Sequence, residues 1–213
     1  MKIAIIGATG FIGAALLDEA LARGHVVTAL VSRPERLLSR PNLSVAGVDV
    51  ADTAALSRAV AGHEAVVSAF SGHANADVYG YYVAGFRSIL EATRRAGLRR
   101  LLLVGGAGSL EIGRGIQLVD TPDFPEQWKA SALGAREALR ILRAEADDLD
   151  WTMLSPPALV TPGERTGTFR VGTDTLLVGS DAKSAISTSD YAIAMMDELE
   201  HPKHARARFT VGY

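Results

Sequence analysis

The sequence predicts an α/β fold built on a doubly wound parallel sheet. Three observations predict it. Short β-branched runs alternate with helix-like segments through residues 2–157, which implies right-handed crossovers and a sheet covered on both faces. The strand runs are apolar almost throughout, as strands buried on both sides are. A glycine-rich turn, Gly7-Ala8-Thr9-Gly10-Phe11-Ile12-Gly13, stands directly between the first strand run and the first helical one.

In chain order, "KIAIIG" reads as a strand and residues 11–23 as a helix stopped by Gly24. Strands follow at 26–31 and 43–49, a helix at 53–62, and a strand at 64–70. A longer helix spans 75–96, then a strand 99–106, a helix 124–146 and a sixth strand 150–157. Beyond Pro157 the texture changes. Residues 161–179 are rich in Gly and Thr and predict two or three short strands. Residues 189–202 predict a helix with Ser189 as its N-cap, and "RARFTVGY" a last strand. The organisation expected is one domain over 1–213: a nucleotide-binding core (1–157) and a small C-terminal, substrate-side extension (158–213) packed on the sheet's carboxyl edge.

Composition narrows the partners. The chain has 213 residues, 48% of them hydrophobic, with a net charge of −2. That balance points away from nucleic acid and membrane surfaces. The absence of cysteine removes disulfides, thiol nucleophiles and thiolate metal sites. The five histidines show no metal spacing, and Asp120 and Asp123 sit beside prolines as turn formers, so no metal is expected. The apolar start is broken by glycines and followed by Asp18 and Glu19, which fits strand-turn-helix rather than a signal peptide. A cytoplasmic protein, monomeric or homodimeric, is the expectation.

The glycine turn carries the chemistry. Gly7 permits the tight turn, Gly10 lets backbone approach a pyrophosphate, and Gly13 lets helix and strand pack closely. The helix start then offers free N–H groups and a positive dipole end, and Thr9 adds a hydroxyl. This is the arrangement of a Rossmann-type dinucleotide site, with Phe11 and Ile12 in the first helical turn. The end of the second strand chooses between cofactors. A carboxylate there would bind a ribose 2′-hydroxyl. Ser32, Arg33 and Arg36 stand there instead, and guanidinium groups favour a 2′-phosphate, so NADP(H) is preferred and NAD(H) remains an alternative. Glu35 could pair with either arginine. Asp49 and Val50 fall where adenine would be touched. Ser68, Ala69 and Phe70 end the strand that passes the ribose and pyrophosphate.

G-x-x-G-x-x-G spacing resembles extended and atypical short-chain dehydrogenases/reductases. Most of that family place a serine or threonine after the fifth strand and a Tyr-x-x-x-Lys on the next helix, the tyrosine donating a proton to a carbonyl oxygen. Here the fifth strand runs into "GGAGSL", with Gly105, Gly106, Ala107 and then Ser109 as the candidate catalytic hydroxyl. Trp128 and Ala132 occupy the tyrosine and lysine slots, and Lys129 lies about 100° around the helix. Tyr79, Tyr81 and Tyr82 sit on the preceding helix, none with lysine four residues on. Loss of the pair argues against ordinary carbonyl reduction and for an acceptor that stabilises the added electron pair itself.

The stretches "IIGATGFIG", "VGGAGSL", "LVDTPDFP", "DWTMLSPPALVTPGERTGTFRVG", "SAISTSDYAIAMMDELEHP" and "RFTVGY" are similar to the NADH-flavin reductase group of atypical short-chain reductases, close to biliverdin reductase B. The resemblance covers nearly the whole length. It implies hydride transfer from nicotinamide to a planar conjugated acceptor, with flavin a substrate rather than a tightly held cofactor. It also implies that the Ser155-Pro156-Pro157 loop holds the nicotinamide by its backbone. His73, after the fourth strand, and Phe124 and Trp128 are candidates to contact the acceptor. Two other readings share the glycine turn: a non-catalytic NAD(P) sensor of the NmrA-like kind, and a sugar-nucleotide epimerase relative, which would need the missing tyrosine.

Overall fold

A computed structural model describes residues 1–213, the side chain of Ala74 excepted. The predicted alternation becomes β1 (Lys2–Ile6), α1 (Phe11–Ala22), β2 (Val26–Val31), β3 (Leu43–Gly47), α2 (Thr53–Val60) and β4 (Ala65–Ser68). After these come α3 (Val78–Arg95), β5 (Arg100–Val104), α4 (Glu126–Glu145) and β6 (Asp150–Ser155). Three short strands, β7 (Leu159–Thr161), β8 (Arg170–Gly172) and β9 (Ala185–Ser187), precede α5 (Thr188–Glu200) and β10 (Ala207–Gly212).

The main sheet runs β3-β2-β1-β4-β5-β6-β10-β8. It is parallel except where β8 meets β10. The order reverses between β1 and β4, and that switch point opens a crevice at the carboxyl ends of the strands. Period-two alternation sends the strand side chains into two cores. Ile3, Ile5, Val67, Leu102 and Leu154 face α1 and α5. Ala4, Val66, Leu101, Leu103, Trp151 and Met153 face α2, α3 and α4. Each fully buried Leu or Ile contributes about 1.5–3 kcal/mol relative to exposure.

Several boundaries move for physical reasons. Helix α3 starts at Val78, not residue 75, because Asp77 caps it, accepting from the Gly80 amide at 2.9 Å, while Asn75 takes the Asp77 amide in a preceding turn. Helix α5 is capped by Ser187, whose Oγ accepts from the Asp190 amide at 3.0 Å. The Ser189 hydroxyl donates to the Gly163 carbonyl instead. Residues 161–179 hold a single full strand, β8. The C-terminal segment is also more than an edge extension. Strand β10 hydrogen-bonds along β6, and α5 covers a whole face of the sheet beside α1.

Candidate functional site

The glycine turn has the geometry of a phosphate cradle. Gly7 has φ +78°, and a Cβ there would lie 2.8 Å from the Ala69 carbonyl oxygen. A Cβ on Gly13 would fall 2.0 Å from the Gly7 oxygen, so neither position accepts a side chain. Gly10 caps α1 with no side-chain acceptor, which leaves the first-turn amides around Phe11 and Ile12 to an outside anion. Thr9, Gly10 and Phe11 are exposed beside them. The residues present therefore fit a dinucleotide pyrophosphate.

Next to the cradle, Thr9, Asp18, Arg36 and Arg40 help line a cavity of about 420 Å³. Arg40 is neutralised by Asp18. Ser32, Arg33 and Arg36 are exposed after β2, and among the described residues Glu35 pairs with neither arginine. Asp49 is exposed and folds back to accept the Ala51 amide. The Val50 side chain is buried in the core, as is most of the Phe70 ring. Ser68 Oγ accepts the Phe70 amide. The side chains of Val50, Ser68 and Phe70 are thus turned into the protein, which leaves backbone as what this strand end can offer.

The other end of the crevice is where lysine and tyrosine would stand. Immediately after β5 come Gly105 and Gly106, and a Cβ on Gly106 would lie 2.9 Å from the Ala135 Cβ of α4. A Cβ on Gly108 would lie 2.7 Å from the Ala132 Cβ. The loop through Ala107 is thus pressed onto α4 over the lysine slot. Ser109 does not follow the strand directly. It is buried, and its Oγ accepts from the Arg208 guanidinium at 3.0 Å. Arg208 also pairs with Asp174 and reaches the Ser109 carbonyl. The serine therefore anchors the loop to β10 and the β8 side of the sheet. At the end of β6, Ser155 Oγ is fully covered and unpartnered, close behind Gly105. Pro156 and Pro157 follow it.

Two predicted acceptor contacts come together. The His73 ring stands edge-on to Trp128 at 5.6 Å and 89°. Trp128 is half exposed, and Phe124 is half-buried nearby in sequence. Three of the other four histidines are engaged structurally, His25 by pairing with Glu200. His63 lies within hydrogen-bond distance of the Val60 carbonyl and the Thr28 hydroxyl, and His204 pairs with Glu198. Among the described residues no carboxylate–histidine group could hold a metal, and no helix is long and apolar enough to cross a membrane.

Sequence reasoning set Tyr82 aside because no lysine follows it. In the structure it is buried between α3, α4 and the end of β4, its ring 5.9 Å from Phe70. The signal was present but tertiary: Gly72 and Gly134 lack the Cβ atoms that would collide with it. Arg208 was missed altogether, since nothing local marks a strand arginine as buried.

Comparison with known proteins agrees with this geometry. Over 99% of this chain and 98% of its own length, the Bacillus subtilis protein YwnB is 41% identical. A solved Bacteroides thetaiotaomicron structure, provisionally named an epimerase, is 42% identical with a TM-score of 0.93, covering 100% of this chain and 96% of its own. A Streptococcus pneumoniae structure, provisionally named an NADH-flavin reductase, is 34% identical with a TM-score of 0.86, covering 100% and 99%. Residues 7–202, from the first glycine of the cradle to the end of α5, match the family model described as NAD(P)H-binding. With its cradle intact and its match running through both cores, the chain belongs to that NAD(P)H-binding family, as an atypical short-chain dehydrogenase/reductase-like protein.

Proposed function

We propose that this protein uses NADPH to reduce a planar conjugated acceptor, a free flavin being the leading candidate. The observation that carries the reading is the closure of the lysine slot. Gly106 and Gly108 lie against Ala135 and Ala132, so the slot at 132 holds no lysine to activate a tyrosine, and Lys129 pairs with Glu126 instead. Chemistry that needs that proton donor is disfavoured. When bound, the nicotinamide supplies a hydride, and a conjugated ring spreads the incoming charge over itself.

The chain's part is binding and exclusion of water. The first turn of α1 neutralises the pyrophosphate, and Arg33 and Arg36 favour a 2′-phosphate over a 2′-hydroxyl. The Gly105–Ala107 backbone and the Ser155–Pro157 loop border the reacting end. His73 and Trp128 offer an aromatic wall for a flat acceptor, and stacking of this kind suits an isoalloxazine. The similarity to a structure named for NADH-flavin reduction supports the same acceptor class.

The test is a titration with NADPH and NADH followed by FMN, FAD, riboflavin and biliverdin, read at the nicotinamide absorbance band. Tight NADPH binding with turnover supports the reductase. Binding with no oxidation on any acceptor overturns it and favours a nucleotide sensor.

A further inference from the structure

One buried hydroxyl joins the two loops that border the reacting end. Tyr191, in the first turn of α5, has no exposed surface, and its hydroxyl donates to the Leu154 carbonyl at 2.6 Å. The Gly105 amide donates to the same oxygen at 2.8 Å. Leu154 stands directly before the Ser155–Pro157 loop, and Gly105 opens the loop after β5. A carbonyl oxygen offers two lone pairs, and here both are engaged. A single side chain on α5 thus meets the point where the two loops are tied to each other.

The surroundings make this joint stiff. A Cβ on Gly105 would lie 2.8 Å from Met153 Cγ and 3.1 Å from Ser155 Oγ, so the loop is already in close contact with β6. From β10, the Thr210 hydroxyl donates to the Ser155 carbonyl at 2.8 Å. Further along, β7 pairs with β9, and the Ser187 and Ser189 hydroxyls donate to the Glu164 and Gly163 carbonyls at 2.8 and 2.9 Å. Asp190 accepts from the Gly167 amide at 2.8 Å and from the Thr166 hydroxyl. Residues 185–191 therefore hold residues 154–167 at the start, middle and end. Tyr191 grips the start, where the chain enters the Ser155–Pro157 loop. Burial raises its hydroxyl well above the usual value, so it stays protonated and donates at neutral pH. It lies in the core under α1 and α5, where it places backbone and touches no ligand.

We infer that Tyr191 is a positioning residue: its hydroxyl sets the spacing of the Gly105–Ala107 and Ser155–Pro157 loops, and so the seat of the nicotinamide between them. This rests on the reductase reading above, which puts the reacting end at these loops. Without the hydroxyl, the Leu154 carbonyl keeps its Gly105 bond, so the sheet stays paired while the joint loosens. Hydride transfer depends steeply on geometry, and a misplacement of about 1 Å can cost about 100-fold. Affinity depends mainly on the phosphates at the other end of the dinucleotide. The hydroxyl should therefore matter for turnover and little for binding.

The test is Tyr191→Phe, which keeps the ring and removes only the oxygen. Its control is Thr93→Val, which removes a buried hydroxyl bonded to the Ile89 carbonyl within α3. Each variant should lose about 3 °C of Tm, the scale of one buried hydrogen bond. Only Tyr191→Phe should lose turnover, with kcat on NADPH and FMN falling about 10-fold while the NADPH Kd stays within about 2-fold. Unchanged kcat overturns Tyr191 and leaves the reductase standing. An equal fall in Thr93→Val, or a fall that comes with lost NADPH affinity, overturns it too, as a general structural role. If the wild type turns over no acceptor, the reductase reading fails separately. The emission of bound NADPH, which reports the surroundings of the nicotinamide ring, then decides. A shifted spectrum in Tyr191→Phe at unchanged affinity supports the placement, and a spectrum identical to the wild type overturns it.

Discussion

Two parts of this molecule use the same device for opposite ends. At residues 7–13, missing Cβ atoms let backbone approach backbone, and the space left outside is lined with free amides. At residues 105–108, missing Cβ atoms let a loop sink onto α4, and the space that closes is the one a lysine would occupy. The first close approach leaves open space beside free amides, while the second fills the space between loop and helix. Glycine and alanine content alone does not say which will happen. The direction of the neighbouring amides and the identity of the opposing residue decide it.

The largest expected effect comes from breaking the first approach. Gly13→Ala puts a methyl 2.0 Å from the Gly7 oxygen, with backbone on both sides and nothing able to yield. A loss of about 3 kcal/mol is expected. Thermal unfolding checks this, and NADPH titration should show binding abolished; a variant that binds normally contradicts the cradle. The second approach is probed by Ala132→Lys together with Trp128→Tyr, which rebuilds the common pair. The lysine must displace the Gly108 loop, so a cost of about 2 kcal/mol and no gain in ketone reduction are expected. A stable, ketone-reducing double variant would show the slot to be open.

Smaller effects sharpen the picture. Arg36→Ala should weaken NADPH about 10-fold and leave NADH unchanged, because only the 2′-phosphate meets the guanidinium. Equal loss for both cofactors would place Arg36 elsewhere. Away from the crevice, the Arg165 hydrogen bond holds the Glu19 carboxyl below the usual carboxylate value. A depressed carboxyl contributes stability that is present above its unfolded pKa of 4.5 and is lost as pH falls through the lower folded value. Wild-type Tm should therefore drop between about pH 5 and 3. Glu19→Gln should flatten that drop, and an unchanged slope would remove Glu19 from the account. The smallest change is Ser155→Ala. Removing a covered hydroxyl that has no partner should leave Tm level or raise it by about 2 °C.

The linear pattern determined a good deal. Alternating strands and helices fixed the doubly wound sheet, because each apolar run must bury itself on both faces. Gly7, Gly10 and Gly13 fixed the cradle, because a tight turn into a helix start is a local matter of spacing. The absence of a Tyr-x-x-x-Lys pair from α4 was equally plain. Tertiary structure alone decided the rest. Ser109 turned out to be an anchor because Arg208, about a hundred residues away, reaches it through β10. The C-terminal segment became a sheet strand and a full helical face because β6 offered an edge to pair with. Tyr82 packs into the core because glycines on two other elements made room for its ring. Contacts between distant segments leave no period and no spacing in the chain, so a residue whose role depends on them reads as ordinary until the fold brings its neighbours together.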